Sequence, residues 1–168
     1  METRQFARWY AKRGFSIFPC HTIEEGKCSC GKTGCGSPGK HPVATLAAHG
    51  VNDATTDLPT IDQWWAMFPD ANIGLATGMA SGVTVIDIDP DHGGDIAWEN
   101  LIARNPDTED TWTVITGSEG IHFYFEAVEG IRNSASLIGP GIDVRSDGGY
   151  VIAPPSRHIS GRNYEWSD

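Results

Sequence analysis

The stretch Gly82-Val83-Thr84-Val85-Ile86-Asp87-Ile88-Asp89-Pro90-Asp91 joins a run of apolar and β-branched residues to two aspartates one residue apart. Such a run reads as a buried strand. Side chains alternate faces along a strand, so Asp87 and Asp89 are expected on one side. Pro90 cannot donate to a ladder and ends it. Two neighbouring carboxylates repel unless a cation or proton lies between them. Magnesium and manganese take oxygen ligands of this kind. The same pair can simply open a solvated turn, and this motif alone leaves both readings standing.

Outward from that strand, Asn72-Ile73-Gly74-Leu75-Ala76-Thr77-Gly78 reads as a second strand. It is expected to pair with the first through Met79-Ala80-Ser81. Downstream, Gly93-Gly94 leads into a helix from Asp95 to about Arg104, with Ile96, Ala97, Leu101 and Ile102 on one face and Asn105-Pro106 as its end. Thr111–Thr116 and Ile121–Phe125 form a hairpin around the tip Gly117-Ser118-Glu119-Gly120. Glycine amides at such a tip can approach a phosphate, and His122 can hydrogen-bond one. His122 taken singly also fits an ordinary strand histidine. Gly141–Arg145 reads as a strand with Asp143 and Arg145 on one face, either a salt bridge or two ligands with separate tasks. Strands at Tyr150–Ala153 and near Gly161–Trp166 complete this half.

Upstream, Phe6, Trp9 and Tyr10 fall at helical spacing within Thr3–Arg13. Phe15–Phe18 follows as a strand ending at Pro19. A helix-like piece is expected over Val43–Ala48 and a helix from Pro59 to Phe68. Between them, Cys20–Pro42 is rich in Gly, Lys and Cys and has no periodicity. A loop of that length needs something to hold it. Cys28, Cys30, Cys35 and His41 supply the ligands of a closed tetrahedral zinc site, with Cys20 and His21 as reserves. Unrelated free thiols are the other reading.

The bulk numbers bound the function. The 168 residues suit one domain, residues 1–168, with a zinc-binding loop at about 20–42 and a catalytic sheet at about 72–166. A net charge of −10 argues against a generally basic nucleic-acid coat. No stretch suits a membrane span, and the charged N-terminus is not a signal peptide, so a cytoplasmic location is expected. In the cytosol four cysteines suggest metal before disulfides. The ending near Tyr164-Glu165-Trp166, without a terminal helix, leads us to expect a longer parent.

Taken in order, DIDP (Asp87–Pro90), GSEGIHFYF (Gly117–Phe125) and GIDVRSDGGYVIAPPS (Gly141–Ser156) resemble the bifunctional primase-polymerase domain of plasmid and bacteriophage replication proteins. That domain belongs to the archaeo-eukaryotic primase superfamily. CSCGKTGC…SPGKHP, the Trp64-Trp65 pair and NIGLATG are similar to it as well, and the likeness runs from about Gly14 to Trp166. The resemblance implies an α+β fold, with an N-terminal αβ unit packed on a catalytic sheet like an RNA-recognition motif. It implies that Asp87, Asp89 and Asp143 hold two magnesium or manganese ions, and that His122 contacts the nucleotide triphosphate with Ser118 nearby. Arg145 is implied as a further phosphate contact. Gly117 and Gly120 flank the same turn. The hairpin departs from the family pattern at Glu119 and Ile121, where a small and a basic residue are usual.

The expected substrates are single-stranded DNA template, primer and nucleoside triphosphates, with a helicase in the parent or as a separate partner. Lys27, Lys32, Lys40, Arg157 and Arg162 are candidates for the template path. Two other classes use the same features. A metal-dependent nuclease or phosphohydrolase would use water as nucleophile, and a zinc-stabilised nucleic-acid-binding module would lack catalysis.

Overall fold

The computed structural model describes residues 2–105 and 110–167. In chain order the elements are α1 (Thr3–Ala11), β1 (Ile17–Cys20), β2 (Ile23–Glu24), β3 (Lys27–Cys28), α2 (Leu58–Met67), β4 (Asn72–Ala76) and β5 (Val83–Ile88). Then come α3 (Gly94–Ala103), β6 (Trp112–Ile115), β7 (Ile121–Glu126), β8 (Ile142–Arg145), β9 (Tyr150–Ala153) and β10 (Glu165–Trp166). The protein is α+β, with α-helices interspersed among antiparallel strands.

Two sheets carry the architecture. A three-stranded sheet runs β1-β4-β9, and a five-stranded sheet runs β10-β6-β7-β5-β8. All pairings are antiparallel. The strand order corrects one expectation. Asn72–Ala76 does not form a hairpin with the aspartate strand; it is the centre of the other sheet. Every residue of β4 is buried, which demands cover on both faces. Gly78 and Gly82 are left-handed, at φ 72° and 69°, and swing the chain out of one sheet into the next. A bridge from Gly78 to Val83 joins β4's exit to the start of β5.

Helices α1 and α2 pack together beside the three-stranded sheet. Ala7 and Tyr10 of α1 and Ile61 and Trp65 of α2 are fully buried in the shared core. Asp57 caps α2 by accepting from the Thr60 amide at 2.9 Å, and Pro59 suits the first turn. Asp62 ties the two helices by pairing with Arg4 at 2.9 Å and with Arg8. An aromatic seal joins the sheets. The Tyr10 hydroxyl donates to the Pro154 carbonyl at 2.8 Å and accepts from Trp166 Nε1 at 3.1 Å. Trp166 in turn packs against Tyr124 of β7.

Four smaller expectations are corrected. Val43–Ala48 is a series of turns leading to a 3-10 helix at Gly50–Asp53, because so short a segment after Pro42 does not nucleate an α-helix. β1 runs on through Pro19 to Cys20. It is an edge strand, where a missing N–H costs no ladder bond. Cys20–Pro42 is not wholly irregular: Glu25 and Gly26, both at positive φ, close the β2–β3 hairpin. On α3, Ile96 is exposed, and Trp98 instead stacks on Phe123 with centroids 4.9 Å apart. Of the expected helix stop, Pro106 lies outside the described residues.

Candidate active site

β5 sits between β7 and β8, and its register sets the site. Asp87 lies directly opposite His122 on one side and Asp143 on the other. Directly paired residues share a sheet face, so His122, Asp87 and Asp143 form one transverse row. Arg145 lies two residues along β8 on that face. Its guanidinium donates to Asp143 at 2.7 Å and stands 3.7 Å from Asp87. His122 Nε2 lies 3.5 Å from Asp87, an ion-pair separation and not a close hydrogen bond. The row floors a cleft of about 670 Å³ that also takes in Asp89, Ser118 and Arg145. Its far wall includes Tyr150, Val151 and Ile152 of β9, so the cleft opens between the two sheets.

Asp89 reaches the same cleft differently. It caps the 3-10 turn Pro90–His92, accepting from the Asp91 amide at 3.0 Å and meeting His92 Nδ1 at 2.7 Å. Two backbone hydrogen bonds fix that turn. The Asp89 amide donates to Gly141 at 2.8 Å, and the Gly94 amide donates to Asp89 at 2.9 Å. A Cβ on Gly141 would lie 2.6 Å from the Asp89 carbonyl, at a φ of 64° that disfavours side chains. Gly141→Ala should therefore cost about 2–4 kcal/mol of stability and disturb Asp89 and the start of β8 together. Thermal denaturation checks this; a loss under about 1 kcal/mol would mean the turn can relax.

The hairpin tip resolves the Glu119 problem. Glu119 pairs with Arg162 from the C-terminal segment and does not line the cleft. Ser118 does line it, 3.1 Å from the Thr116 hydroxyl. Gly117 and Gly120 are absent from the lining. Gly117 is packed under His158, where a Cβ would sit 2.1 Å from that side chain, and Gly120 lies against the Ile88 carbonyl. Ser160 also donates to the Gly117 carbonyl at 2.6 Å. Sequence reasoning missed this C-terminal brace, and it missed Asn133, Tyr150 and Tyr164 in the lining. Nothing in their local pattern marked them.

His122 is buried, and its Nδ1 has no protein partner among the described residues. Burial holds its pKa below the ordinary imidazole value, with Asp87 pulling the other way. Burial also lowers His158, and Lys40 adds to the effect. The native state thus keeps both rings neutral where the unfolded chain begins to protonate. Stability is full above about pH 6.5 and falls as pH drops from there toward the folded values. Exposed His92, raised by Asp89, opposes this weakly because solvent screens the pair. Denaturant titrations at about pH 7.5 and about pH 5.5 test the sign, and stability unchanged or greater at the lower pH would refute it.

The second cluster is the cysteine loop. Ligand atoms of Cys28, Cys30, Cys35 and His41 all lie within 4.8 Å of one another. His41 Nε2 is 3.5 Å from both the Cys28 and Cys35 sulfurs. A tetrahedral zinc with bonds of about 2.3 Å to sulfur and about 2.0 Å to nitrogen has such edges at about 3.5 Å, so the donor set fits. The Cys30 thiol is pulled down to about 7, chiefly by the Lys32 amide and then by Cys28, His41 and Cys35. Cys20 and His21 are not ligands of this cluster. Cys20 is fully buried in the core, where burial raises its thiol. His21 bonds Ser29 at 2.9 Å and packs on the His41 ring. Asp87 and Asp143 offer hard oxygen donors, with the Arg145 guanidinium standing between them.

An α+β protein with a carboxylate-and-histidine cleft and a Cys3His cluster is thus defined. The family model for the bifunctional DNA primase/polymerase N-terminal domain matches residues 7–168, and the chain belongs to that family. Membership supports a primase or polymerase role in replication and implies DNA and nucleotide substrates. No curated protein matches the chain. Among the described residues, no helix is long and apolar enough to cross a membrane.

Proposed function

We propose that residues 1–168 are the catalytic domain of a primase-polymerase with an archaeo-eukaryotic primase-like arrangement. The helices and the three-stranded sheet are the N-terminal αβ unit, and the five-stranded sheet is the catalytic half akin to an RNA-recognition motif. The reaction is template-dependent nucleotidyl transfer, giving primer synthesis and DNA polymerisation in plasmid or phage replication. It uses single-stranded DNA, a primer and nucleoside triphosphates, in the cytoplasm, beside a helicase in the parent or in a partner.

The observation that carries this reading is the His122–Asp87–Asp143 row with Arg145 beside it. Nucleotidyl transfer asks for little covalent participation, so positioning and charge dominate. Asp87, Asp89 and Asp143 are the residues that would hold two magnesium or manganese ions. Such ions activate a 3′-hydroxyl and neutralise charge on the leaving pyrophosphate. His122 directs a ring N–H at the triphosphate, and burial keeps its orientation fixed. Ser118 offers a hydroxyl from the hairpin tip, whose approach Gly117 and Gly120 permit. Arg145 exchanges a carboxylate oxygen for a phosphate oxygen when nucleotide enters. Glu119 stays neutralised by Arg162, so the departure from the family pattern places no free carboxylate beside the phosphates. Cys28, Cys30, Cys35 and His41 hold a structural zinc.

The test is synthesis on single-stranded DNA, with and without primer, with ribonucleotides and deoxynucleotides, in magnesium or manganese. An Asp87→Ala, Asp89→Ala double variant runs alongside. Template-dependent product lost in the variant supports the reading, and unprimed product makes the protein a primase. Degradation of DNA or hydrolysis of nucleotides through the same aspartates, with no synthesis, overturns it in favour of a nuclease or phosphohydrolase. DNA binding with neither activity overturns it in favour of a binding module.

A further inference from the structure

We infer that Lys40, delivered by the cysteine loop, is a nucleotide-binding residue that engages the charged triphosphate of the incoming nucleotide. The inference rests on the nucleotidyl-transfer reading and deepens it. Five basic residues were open for nucleic-acid contact from sequence: Lys27, Lys32, Lys40, Arg157 and Arg162. Of these, only Lys40 lines the cleft. Arg157 is paired with Asp70 at 3.3 Å, and Arg162 with Glu119. Arg145, also in the lining, is held by Asp143, and His92 by Asp89. Among the described residues, the Lys40 ammonium has no carboxylate within ion-pair distance. A half-buried lysine in the wall of the cleft, with no ion-paired carboxylate among the described residues, suits a ligand that brings its own negative charge.

The position of Lys40 is fixed from both sides. Just before it, the Gly39 amide donates to the Cys28 sulfur at 3.4 Å, and the Gly39 carbonyl accepts from Asn72 Nδ2 at 2.8 Å. Gly39 is left-handed at φ 73°, with Ile23 3.1 Å from where a Cβ would be, so only glycine makes this corner without strain. The Lys40 carbonyl itself accepts from the Tyr150 hydroxyl at 3.0 Å, on the cleft wall facing the carboxylate row. Just after it comes the zinc-site ligand His41. Asn72 is buried with its other contacts to Thr22 and to the Arg157 backbone also made, so this anchor is well supported. The cysteine cluster therefore does more than stiffen a loop: it sets a cation opposite the metal-binding carboxylates.

The experiment measures binding of a non-hydrolysable deoxynucleoside triphosphate and of a deoxynucleoside monophosphate by calorimetry in manganese. It compares the wild type, Lys40→Ala and Lys40→Arg. Zinc content and single-stranded DNA affinity are measured on the same samples. The expected result for Lys40→Ala is triphosphate binding weaker by about tenfold and monophosphate binding changed by under about twofold, with KM rising more than kcat falls. Lys40→Arg should restore most of the loss, with one zinc per chain in all three proteins. Triphosphate binding by Lys40→Ala within about twofold of wild type overturns the assignment. So does a loss confined to DNA affinity, which makes Lys40 a template contact. Lost zinc in Lys40→Ala would also overturn it, by making the lysine a structural part of the loop. If the wild type binds no nucleoside triphosphate, the nucleotidyl-transfer reading itself falls and takes this assignment with it.

Discussion

Replacing Asp87 with Asn should reduce nucleotide incorporation by about a thousandfold or more, which is about 4 kcal/mol of barrier, and leave the fold at least as stable as before. The two halves of that expectation come from one geometry. Asp87 is the only residue of the row paired directly with both His122 and Asp143. Asn keeps an oxygen at that place but not the negative charge, which ions proposed to sit across those strands would need. The substitution also removes an unfavourable term: like charges opposed across adjacent strands destabilise a sheet, and here Arg145 offsets them only in part. With Asn at position 87, Arg145 still pairs with Asp143. The thermal midpoint should therefore hold or rise, as expected where a protein gives up stability for a site. Incorporation on a primed template and a thermal melt read the two halves separately. Retained activity would remove Asp87 from the machinery. A large fall in the midpoint would mean the activity loss reflected unfolding.

Local pattern carried the strands well. β5, the β6–β7 hairpin and β8 each combine a short apolar run with glycine-marked turns, and their one-face relationships follow from alternation. The Cys28, Cys30, Cys35 and His41 grouping was favoured by spacing, with Cys20 and His21 left as reserves that the structure places outside the cluster. What sequence did not disclose is long-range. Whether β4 pairs with its neighbour in the chain or with β1 and β9 depends on where its two faces find cover. Local pattern does not specify that; five buried residues in a row are the only hint. The pairing of Glu119 with Arg162 spans two segments far apart in sequence. So does the bond from Tyr150 to the Lys40 carbonyl. The Asp89 cap was hidden for another reason. Alternation puts Asp87 and Asp89 toward the same cleft, but Pro90 begins a turn whose free amide takes up the second carboxylate. The resemblance supplied the roles; the register across β7, β5 and β8 supplies the reason those residues can act together.

The second large effect belongs to the cysteine loop. A Cys28→Ala, Cys35→Ala variant should hold essentially no zinc, against one ion per chain in the wild type, and should lose the order of residues between Cys28 and Lys40. Ordering a residue costs about 1–2 kcal/mol in backbone entropy. From Gly31 to Gly34 the loop is exposed, so hydrophobic burial offsets little of that cost. The four-ligand cross-link is what remains, and Cys28 is also the acceptor that fixes the Gly39 corner. Beyond the loop the chain is held independently: the His21 amide bonds the His41 carbonyl at 2.8 Å, and the Val43 amide bonds Pro19 at 3.0 Å. The two-sheet core should therefore survive, with a loss of about 2–3 kcal/mol and a midpoint lower by roughly 5–10 °C. Trypsin should cut the variant rapidly at Lys27, Lys32 and Lys40, and the zinc-loaded wild type slowly, with the remainder of the chain resistant in both. Nucleotide affinity should fall along with loop order, since Lys40 is no longer held against Tyr150. Identical trypsin patterns with and without the cysteines would show that the loop is ordered by its contacts to Asn72 and Tyr150 and needs no metal. Global unfolding of the variant would instead make the cluster a keystone of the whole fold.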